Sequence, residues 1–166
     1  MTTVAIPTLI PAGTWAIDPS HSAIGFSVRH LGIATVRGAF ERFSGSLEAG
    51  EQLEQASFAA EIDAASITTS EEQRDAHLRS ADFFDVEAHP TISFRSNAVH
   101  LRDTESFTVS GDLTMRGVTL PVELDATVHG QETDPWGNDR VGIELTGELS
   151  RGAFGMTFNQ ALGSGN

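Results

Sequence analysis

Apolar and polar residues alternate with a period of two along most of this chain. Because successive side chains of a β-strand point to opposite faces, each alternating run predicts a strand with one apolar and one polar face. Strands of this kind are typical of antiparallel sheet with one side in water. The clearest apolar series are Ile24, Phe26 and Val28; Phe58, Ala60 and Ile62; Phe107, Val109, Leu113 and Met115; and Leu120, Val122, Leu124, Ala126 and Val128.

The alternation predicts eight strands and one helix. Arg116-Gly117 is a two-residue link between two runs and predicts a tight hairpin. Ser70-Glu71-Glu72-Gln73 has the form of a capping box and predicts a short helix over residues 70–80. The predicted strands lie near residues 13–18, 21–30, 34–48, 54–67, 91–99, 105–115, 118–130 and 139–151.

Strand number, strand length and glycines within the strands favour an eight-stranded antiparallel barrel over a sandwich. Residues 13–166 are predicted to form this single domain, and residues 1–12 a flexible N-terminal segment. The run 54–67 would extend roughly 45 Å, enough for one narrow ligand along the axis. Small inward residues such as Ala60 and Gly111 would leave a channel, but they also suit a filled core. Spacing alone leaves both interpretations open.

Composition limits the partners. The chain has 166 residues and a net charge of −13, and all of its basic residues are arginines without a local basic patch, which argues against nucleic acid as a partner. No apolar run of ~18 residues predicts a membrane span, and the N-terminus lacks the features of a signal peptide. We therefore expect a cytoplasmic protein. The absence of cysteine excludes disulfides, thiolate metal sites and a cysteine nucleophile.

No pattern predicts catalysis or a cofactor. The six histidines lack the spacings that bring two imidazoles together on one strand or helix, so we expect no metal site. The chain contains neither a G-x-S-x-G nucleophile motif nor a glycine-rich phosphate loop. An enzyme that uses His21, His30 or His77 as acid or base remains the alternative. The other histidines are His89, His100 and His129.

The predicted helix has a mixed face. Arg74, His77 and Leu78 lie together at i, i+3 and i+4, whereas Asp75 and Arg79 are spaced to pair with each other. Such a helix would close the mouth of a barrel and offer a polar group to the head of a ligand, or it would simply be pinned to strand ends. Phe83 and Phe84 would line or plug that end.

The order of several motifs resembles the YceI-like family. The matching segments, which together span residues 13 to about 158, are Trp15-Ala-Ile-Asp-Pro-Ser-His-Ser22, Phe26-Ser-Val-Arg-His-Leu-Gly32, Val36-Arg-Gly-Ala-Phe40, Ala65-Ser-Ile-Thr-Thr69, Arg74-Asp-Ala-His-Leu-Arg-Ser-Ala-Asp-Phe-Phe-Asp85, Pro90-Thr-Ile-Ser-Phe94, Gly111-Asp-Leu-Thr-Met-Arg-Gly-Val118 and Pro121-Val122. The resemblance implies a lipocalin-like barrel that carries a polyisoprenoid, an isoprenoid quinone or a fatty-acid derivative in an elongated channel. It implies no catalytic activity, and many members are periplasmic.

The alternation along the strands and the resemblance to the YceI-like family together predict fifteen ligand-binding residues. They are Phe26, Val28, His30, Phe40, Phe58, Ile62, Arg74, His77, Leu78, Phe83, Phe84, Phe94, Leu113, Ile143 and Phe154. Family members usually continue past residues 150–155 into a final strand that helps to close the barrel. This chain ends at Asn166 in a short glycine-rich segment, which predicts incomplete closure or a trimmed sequence. A homodimer and an interaction module without a ligand also remain open.

Overall fold

The computed structural model describes residues 10–30 and 34–156. Ten strands and one α-helix form this part of the chain, and short 3₁₀ turns lie at Leu53–Gln55, Ala64–Ser66 and Arg151–Phe154. The elements are β1 (Gly13–Ala16), β2 (Ile24–His30), β3 (Ala34–Phe40), β4 (Phe43–Ala49), β5 (Ser57–Asp63), β6 (Ile67–Thr68), α1 (Glu72–Arg79), β7 (Thr91–Leu101), β8 (Ser106–Met115), β9 (Val118–Thr133) and β10 (Asp139–Thr146).

Two antiparallel sheets make up the fold. Seven strands form the larger sheet in the order β1-β4-β5-β7-β8-β9-β10, and the smaller sheet has the order β2-β3-β6. The larger sheet is strongly curled into a half-barrel. The predicted all-β, barrel-type fold is therefore confirmed, although the described residues contain ten strands rather than the eight expected.

Two of the predicted strands are each divided in the structure. Residues 34–48 form β3 and β4, which belong to different sheets. Residues 54–67 contain β5, a 3₁₀ turn and the start of β6, because Asp63 ends the extended backbone. Its carboxylate accepts a hydrogen bond from the Ala65 amide at 3.0 Å, and its carbonyl accepts one from the Ser66 hydroxyl at 2.6 Å. The expected strand length of roughly 45 Å was thus too large, since the seven residues of β5 span only roughly 23 Å.

Local chemistry accounts for the hairpin and for a shift of the helix start. Arg116 and Gly117 have φ of 55° and 73°, as a tight hairpin requires, so the predicted turn is confirmed. Helix α1 begins later than expected, because Ser70 has a φ of 63° and lies outside the helix. Glu71 caps it instead, with a carboxylate that accepts from the Arg74 amide. The capping box predicted from Ser70 was therefore wrong by one residue.

The inner side of the curled sheet carries two apolar clusters. The Phe107 cluster has as its buried members Ile10, Leu47, Leu53, Ala56, Phe94, Val99, Phe107, Val109, Ala126 and Val128. The Phe154 cluster has Phe40, Ala64, Ile67, Ile92, Met115, Phe154 and Met156. Leu113 packs against both clusters and so lies between them.

The start of the described chain is packed rather than free. Ile10 is only 1% exposed and belongs to the Phe107 cluster. The Trp15 indole N–H donates to the Pro11 carbonyl at 2.9 Å, which fixes the approach to β1. The predicted flexibility of residues 1–12 concerns mainly residues 1–9, which lie outside the described residues.

Candidate functional site

The middle of the inner face is apolar but only half-buried. Strand β9 shows this most clearly, because its inward residues Leu120, Val122 and Leu124 are partly exposed while Ala126 and Val128 are buried. Phe58 on β5 and Ile143 on β10 are also partly exposed and pack at the edge of the Phe107 cluster. The described residues therefore form an open, curved apolar surface between better packed ends.

The structure distributes the predicted ligand-binding residues over both clusters. Phe58, Phe94 and Ile143 belong to or border the Phe107 cluster. Leu113 joins the two clusters. The members associated with the Phe154 cluster are Phe26, Phe40, Ile62, Leu78, Phe83, Phe84 and Phe154. These residues thus form two groups rather than one continuous cluster, and contact with a ligand remains a prediction for all of them.

The remaining four predicted residues lie elsewhere. Val28 is 44% exposed. The side chain of His30 lies outside the described residues, although its backbone ends β2. Arg74 and His77 are on α1, where both make polar contacts within the same end of the molecule.

Aromatic contacts stabilise both groups. In the Phe154 group, the Phe40 ring lies 5.7 Å from Phe26 and 5.7 Å from Phe84, centroid to centroid, with an edge-to-face geometry toward Phe84. In the Phe107 group, Phe58 stacks on Phe107 at 6.1 Å. Such ring pairs contribute beyond their area burial. The segment after α1 is therefore packed onto β3 through Phe84.

Helix α1 is fastened to the end of β6 by Thr69. The Thr69 amide and hydroxyl both donate to the Asp75 carboxylate, the amide at 2.8 Å. The Arg74 guanidinium donates to the Thr69 hydroxyl at 2.7 Å and to its carbonyl at 3.0 Å. Burial by itself raises the pKa of Asp75, but the hydrogen bonds from Thr69 outweigh it and hold that pKa below its ordinary value. Both Asp75 and Arg74 therefore attach helix α1 to the end of β6 through Thr69.

The predicted pairing of Asp75 with Arg79 is wrong. The Asp75 carboxylate bonds to Thr69, and within the described ranges no ion pair of 4 Å or less joins it to Arg79. The charge of Arg79 lowers the pKa of Asp75 less than those hydrogen bonds do. Sequence spacing missed this because the partner, Thr69, lies outside the helix. His77 bonds to the Asp82 carboxylate at 2.8 Å and stands edge-on to the Phe83 ring at 5.0 Å.

Ser20, His21 and Asp18 form a surface network that is not a catalytic triad. Both the Asp18 carboxylate, at 2.8 Å, and the Ser20 hydroxyl, at 3.2 Å, approach the same ring nitrogen of His21, Nδ1. A triad requires the base and the orienting acid on opposite ring nitrogens. Hydrogen bonds from Ser20, Arg140 and His21 hold the pKa of Asp18 far below its ordinary value. Arg140 donates to Asp18 at 2.6 Å and links this loop to the β9–β10 hairpin.

We expect the purified protein to contain no stoichiometric transition metal. Among residues 10–30 and 34–156, no three His, Cys, Asp or Glu side chains lie close enough together to hold a metal ion. His21 and His77 are each engaged with one aspartate at the surface. Elemental analysis after dialysis checks this, and one zinc, iron or copper ion per chain would contradict it.

Two hollows in the described part of the molecule are open to solvent. One, of about 230 Å³, is lined by Asn97, Ser110, Gly111, Pro121, Val122 and Glu123. The other, of about 310 Å³, is lined by Pro11, Trp15, Gln131, Glu132, Thr133, Asp139 and Arg140. Neither is an elongated channel, so the channel remains a prediction. No helix in the described part of the chain is long and apolar enough to cross a bilayer.

Three arginines lie at the α1 end of the molecule, two of them in contacts that the sequence did not predict. Arg79 was assigned to an ion pair and Arg116 to a turn, and Arg151 carried no pattern of its own. The structure gathers them around residues 79–83: Arg116 Nη2 donates to the Ala81 carbonyl at 2.8 Å, and the Arg151 guanidinium lies 5.6 Å from the Phe83 ring centre. From the sequence, this end of the molecule was indicated only by the prediction that α1, Phe83 and Phe84 lie together at one end of the barrel.

A family model, curated relatives and solved structures all match this chain. The model of the YceI-like domain matches residues 15–166. A UPF0312 protein from Pectobacterium carotovorum is 39% identical over 84% of this chain and 73% of its own length. The structure of a Campylobacter jejuni YCEI protein matches with a TM-score of 0.69 and 29% identity over 84% of this chain and 82% of that one. BcnA from Burkholderia cenocepacia matches with a TM-score of 0.75 over 83% of each chain, and its 23% identity supports the fold alone.

Proposed function

This chain belongs to the YceI-like domain family, and from that premise we propose that it binds a long apolar molecule along the inner face of its curled sheet. The proposed ligand is a polyisoprenoid, an isoprenoid quinone or a fatty-acid derivative. Binding serves storage or transport of that molecule and involves no chemical step.

The half-buried inner face is the observation that carries this proposal. A sheet face that completed the core would bury its apolar side chains, as Phe107 and Val109 are buried at 0% exposure. In the middle of the same face Leu120, Val122 and Leu124 remain partly exposed. Covering apolar surface with a hydrocarbon chain is favourable by about 25 cal/mol per Å². A flexible apolar chain fits such a curved surface better than a compact polar ligand does.

Native mass spectrometry of freshly purified protein tests the proposal. A co-purifying lipid, or stoichiometric uptake of added geranylgeraniol without any change in its mass, supports a carrier. Turnover of the added lipid would instead support an enzyme with His21 or His77 as acid or base. Failure to retain any lipid, added or co-purified, would contradict both and leave a module without a ligand.

Replacing Ala60 with Trp should reduce lipid uptake while the protein still folds. Ala60 is half-buried and belongs to the residues of β5 that point to the inner face, where it pairs with Gly45 on β4 and Phe94 on β7. An indole at this position would therefore occupy the apolar surface. Ala59→Trp is the matched control, because the side chain of residue 59 points to the opposite face of the sheet. Uptake is measured by native mass spectrometry and stability by urea unfolding. If Ala60→Trp costs stability on the scale of core overpacking, about 1–3 kcal/mol, the interpretation as an open surface fails.

Gly111, the other small inward residue considered from the sequence, is unsuited to this experiment. A Cβ built on Gly111 would lie 2.7 Å from the Phe94 ring and 2.7 Å from the Ser96 Cα, beside the bulge between Ser96 and Ala98. Because backbone cannot move aside cheaply, any side chain at this position strains the β7–β8 pair. The absence of a side chain at Gly111 therefore allows β7 and β8 to pack closely and does not provide room for a ligand.

A further inference from the structure

The hairpin formed by β9 and β10 extends beyond the rest of the larger sheet. Thr127 is the last β9 residue that pairs with β8, opposite Ser106. The amide of the next residue, Val128, donates to the Glu105 carbonyl at 2.9 Å. From there to the turn, β9 pairs only with β10, which is the last strand of that sheet in the described part of the chain. Residues 129–142, which we call the β9–β10 ribbon, are therefore a two-stranded extension of the sheet.

Little apolar packing holds the β9–β10 ribbon in place. None of its residues is buried, and Trp136 at its tip is 81% exposed. Among residues 129–142, only Val141 packs against the Phe107 cluster. A two-stranded hairpin is at best marginally stable by itself in water, and segments with few buried apolar contacts open at low cost. Other contacts must therefore determine where the ribbon lies.

Two glycines and a bulge mark the base of the ribbon. Gly130 on β9 lies directly opposite Gly142 on β10, and the register shifts beside them, where His129 is the extra residue. Such a bulge interrupts the ladder of hydrogen bonds. Gly130 has a φ of 151°, which glycine adopts readily, whereas a Cβ on Gly142 would make only ordinary contacts at 3.8 Å or more. Packing therefore does not require glycine at position 142, and the base has the features of a hinge.

The ribbon is fastened to the opposite edge of the sheet by one arginine. Strands β1 and β10 are the first and last of the larger sheet, and within the described ranges no backbone pairing joins them. Arg140 on the ribbon nevertheless donates to the carboxylate of Asp18, two residues after β1, at 2.6 Å. The same guanidinium donates to Asp134 at 3.2 Å, and Asp134 also accepts from the amides of Trp136 and Asn138. Arg140 thus connects an ordered turn to the far edge, and we call this contact the Asp18–Arg140 latch.

The latch spans the seam between β1 and β10. Pro11 and Trp15 from the β1 side line the hollow of about 310 Å³ together with residues of the ribbon. Trp15 and Val141, one from each side of the seam, pack against the Phe107 cluster. The side chains of Arg140 and Asp18 are 33% and 37% exposed, and ion pairs that are so accessible to water are weak. Opening the seam therefore requires the loss of one weak ion pair and little apolar contact.

We propose that the β9–β10 ribbon is a flap, hinged at Gly130 and Gly142 and held by the Asp18–Arg140 latch, that opens the seam between β1 and β10. Its role for a ligand rests on the proposed function: a long apolar molecule reaches the inner face through the opened seam. In the described part of the chain this is the one junction around the larger sheet that opens without breaking backbone hydrogen bonds between strands.

Acrylamide quenching and hydrogen exchange test the flap without any ligand. The chain has two tryptophans, so the emission of a Trp136→Phe background comes from Trp15 alone. Arg140→Gln in this background removes the latch. Arg102→Gln is the matched control, because it breaks an arginine–aspartate pair of 2.7 Å that does not cross the seam. Circular dichroism establishes that each variant is folded.

We expect Arg140→Gln to increase the quenching of Trp15 and to speed amide exchange over residues 129–142 about five-fold, as loss of a partly exposed ion pair implies. The control should match its background. Gly142→Val provides a second variant with the opposite expectation, since a β-branched residue stiffens the hinge and should slow this exchange. Unchanged quenching and exchange in Arg140→Gln, or equal changes in Arg102→Gln, would overturn the flap whatever the protein binds.

Transfer of bound geranylgeraniol to phosphatidylcholine vesicles tests the role of the flap. Arg140→Gln should release the lipid about five-fold faster than Arg102→Gln does, and Gly142→Val should release it more slowly. Because an opened seam speeds uptake as well, the Kd should change much less than either rate. A ribbon that opens in Arg140→Gln without any change in transfer would overturn its role as an entrance. Opening in a protein that takes up no lipid would support the flap and contradict the carrier function.

Discussion

Shortening the apolar chain of a bound lipid by four methylenes should weaken its binding about 200-fold. Each buried methylene contributes ~0.8 kcal/mol, so the loss amounts to about 3 kcal/mol. The half-buried inner face, including Leu120, Val122 and Leu124, provides the surface over which this contribution accumulates. The measurement is a titration of one homologous series with a constant head group.

The same series distinguishes the chain from the head group. Arg74→Ala should weaken binding by a factor of about ten or less, because a typical hydrogen bond contributes only ~0.5–1.5 kcal/mol and Arg74 already bonds to Thr69. An affinity that does not depend on chain length would contradict a binding surface along the sheet. An unchanged preference among head groups would remove Arg74 from the site.

Replacing Phe107 with Ala should lower the free energy of unfolding by about 3–5 kcal/mol, the range for truncating a buried phenylalanine. Phe107 is fully buried, it stacks on Phe58, and it lies on β8, which has strands on both sides. The sheet around it therefore has little freedom to collapse into the cavity. Urea denaturation measures the change.

Leu101→Ala is the matched control for this truncation. Leu101 pairs directly with Phe107 across β7 and β8 but is 48% exposed, so its truncation should change stability by about 0.5 kcal/mol or less. Similar losses in both variants would show that burial in the Phe107 cluster does not dominate the stability of the sheet.

Much of the fold was accessible from alternation alone. Which side chains of β9 point inward, from Val118 to Val128, follows directly from the sequence. One side of the sheet faces solvent, so a shift of one residue would turn every apolar side chain to the solvent side. The β8–β9 hairpin was equally predictable, since Arg116-Gly117 satisfies a two-residue turn. In both cases the decisive interactions lie within a few residues or between adjacent strands.

Interactions between distant residues were not predictable in this way. The apolar positions change parity between Phe40 and Phe43, across Glu41 and Arg42, but this shift alone does not reveal that β3 and β4 belong to different sheets. Helical spacing paired Asp75 with Arg79, but the short path from β6 to α1 brings Thr69 to Asp75 instead. The strain that a side chain on Gly111 would cause depends on a bulge in the neighbouring strand.

The sequence by itself thus determined the class of fold, the face of each strand that turns inward and the apolar character of that face, because these follow from side-chain period and hydrophobicity. Only the tertiary structure decided which inward residues are packed, as Phe107 is, and which stay half-exposed, as Leu124 does. It also decided that one guanidinium nitrogen each of Arg79 and Arg116 is buried without a hydrogen-bond partner at one end. Burial and charge pairing depend on which distant segments the curled sheet brings together, so neither follows from the order of residues along the chain.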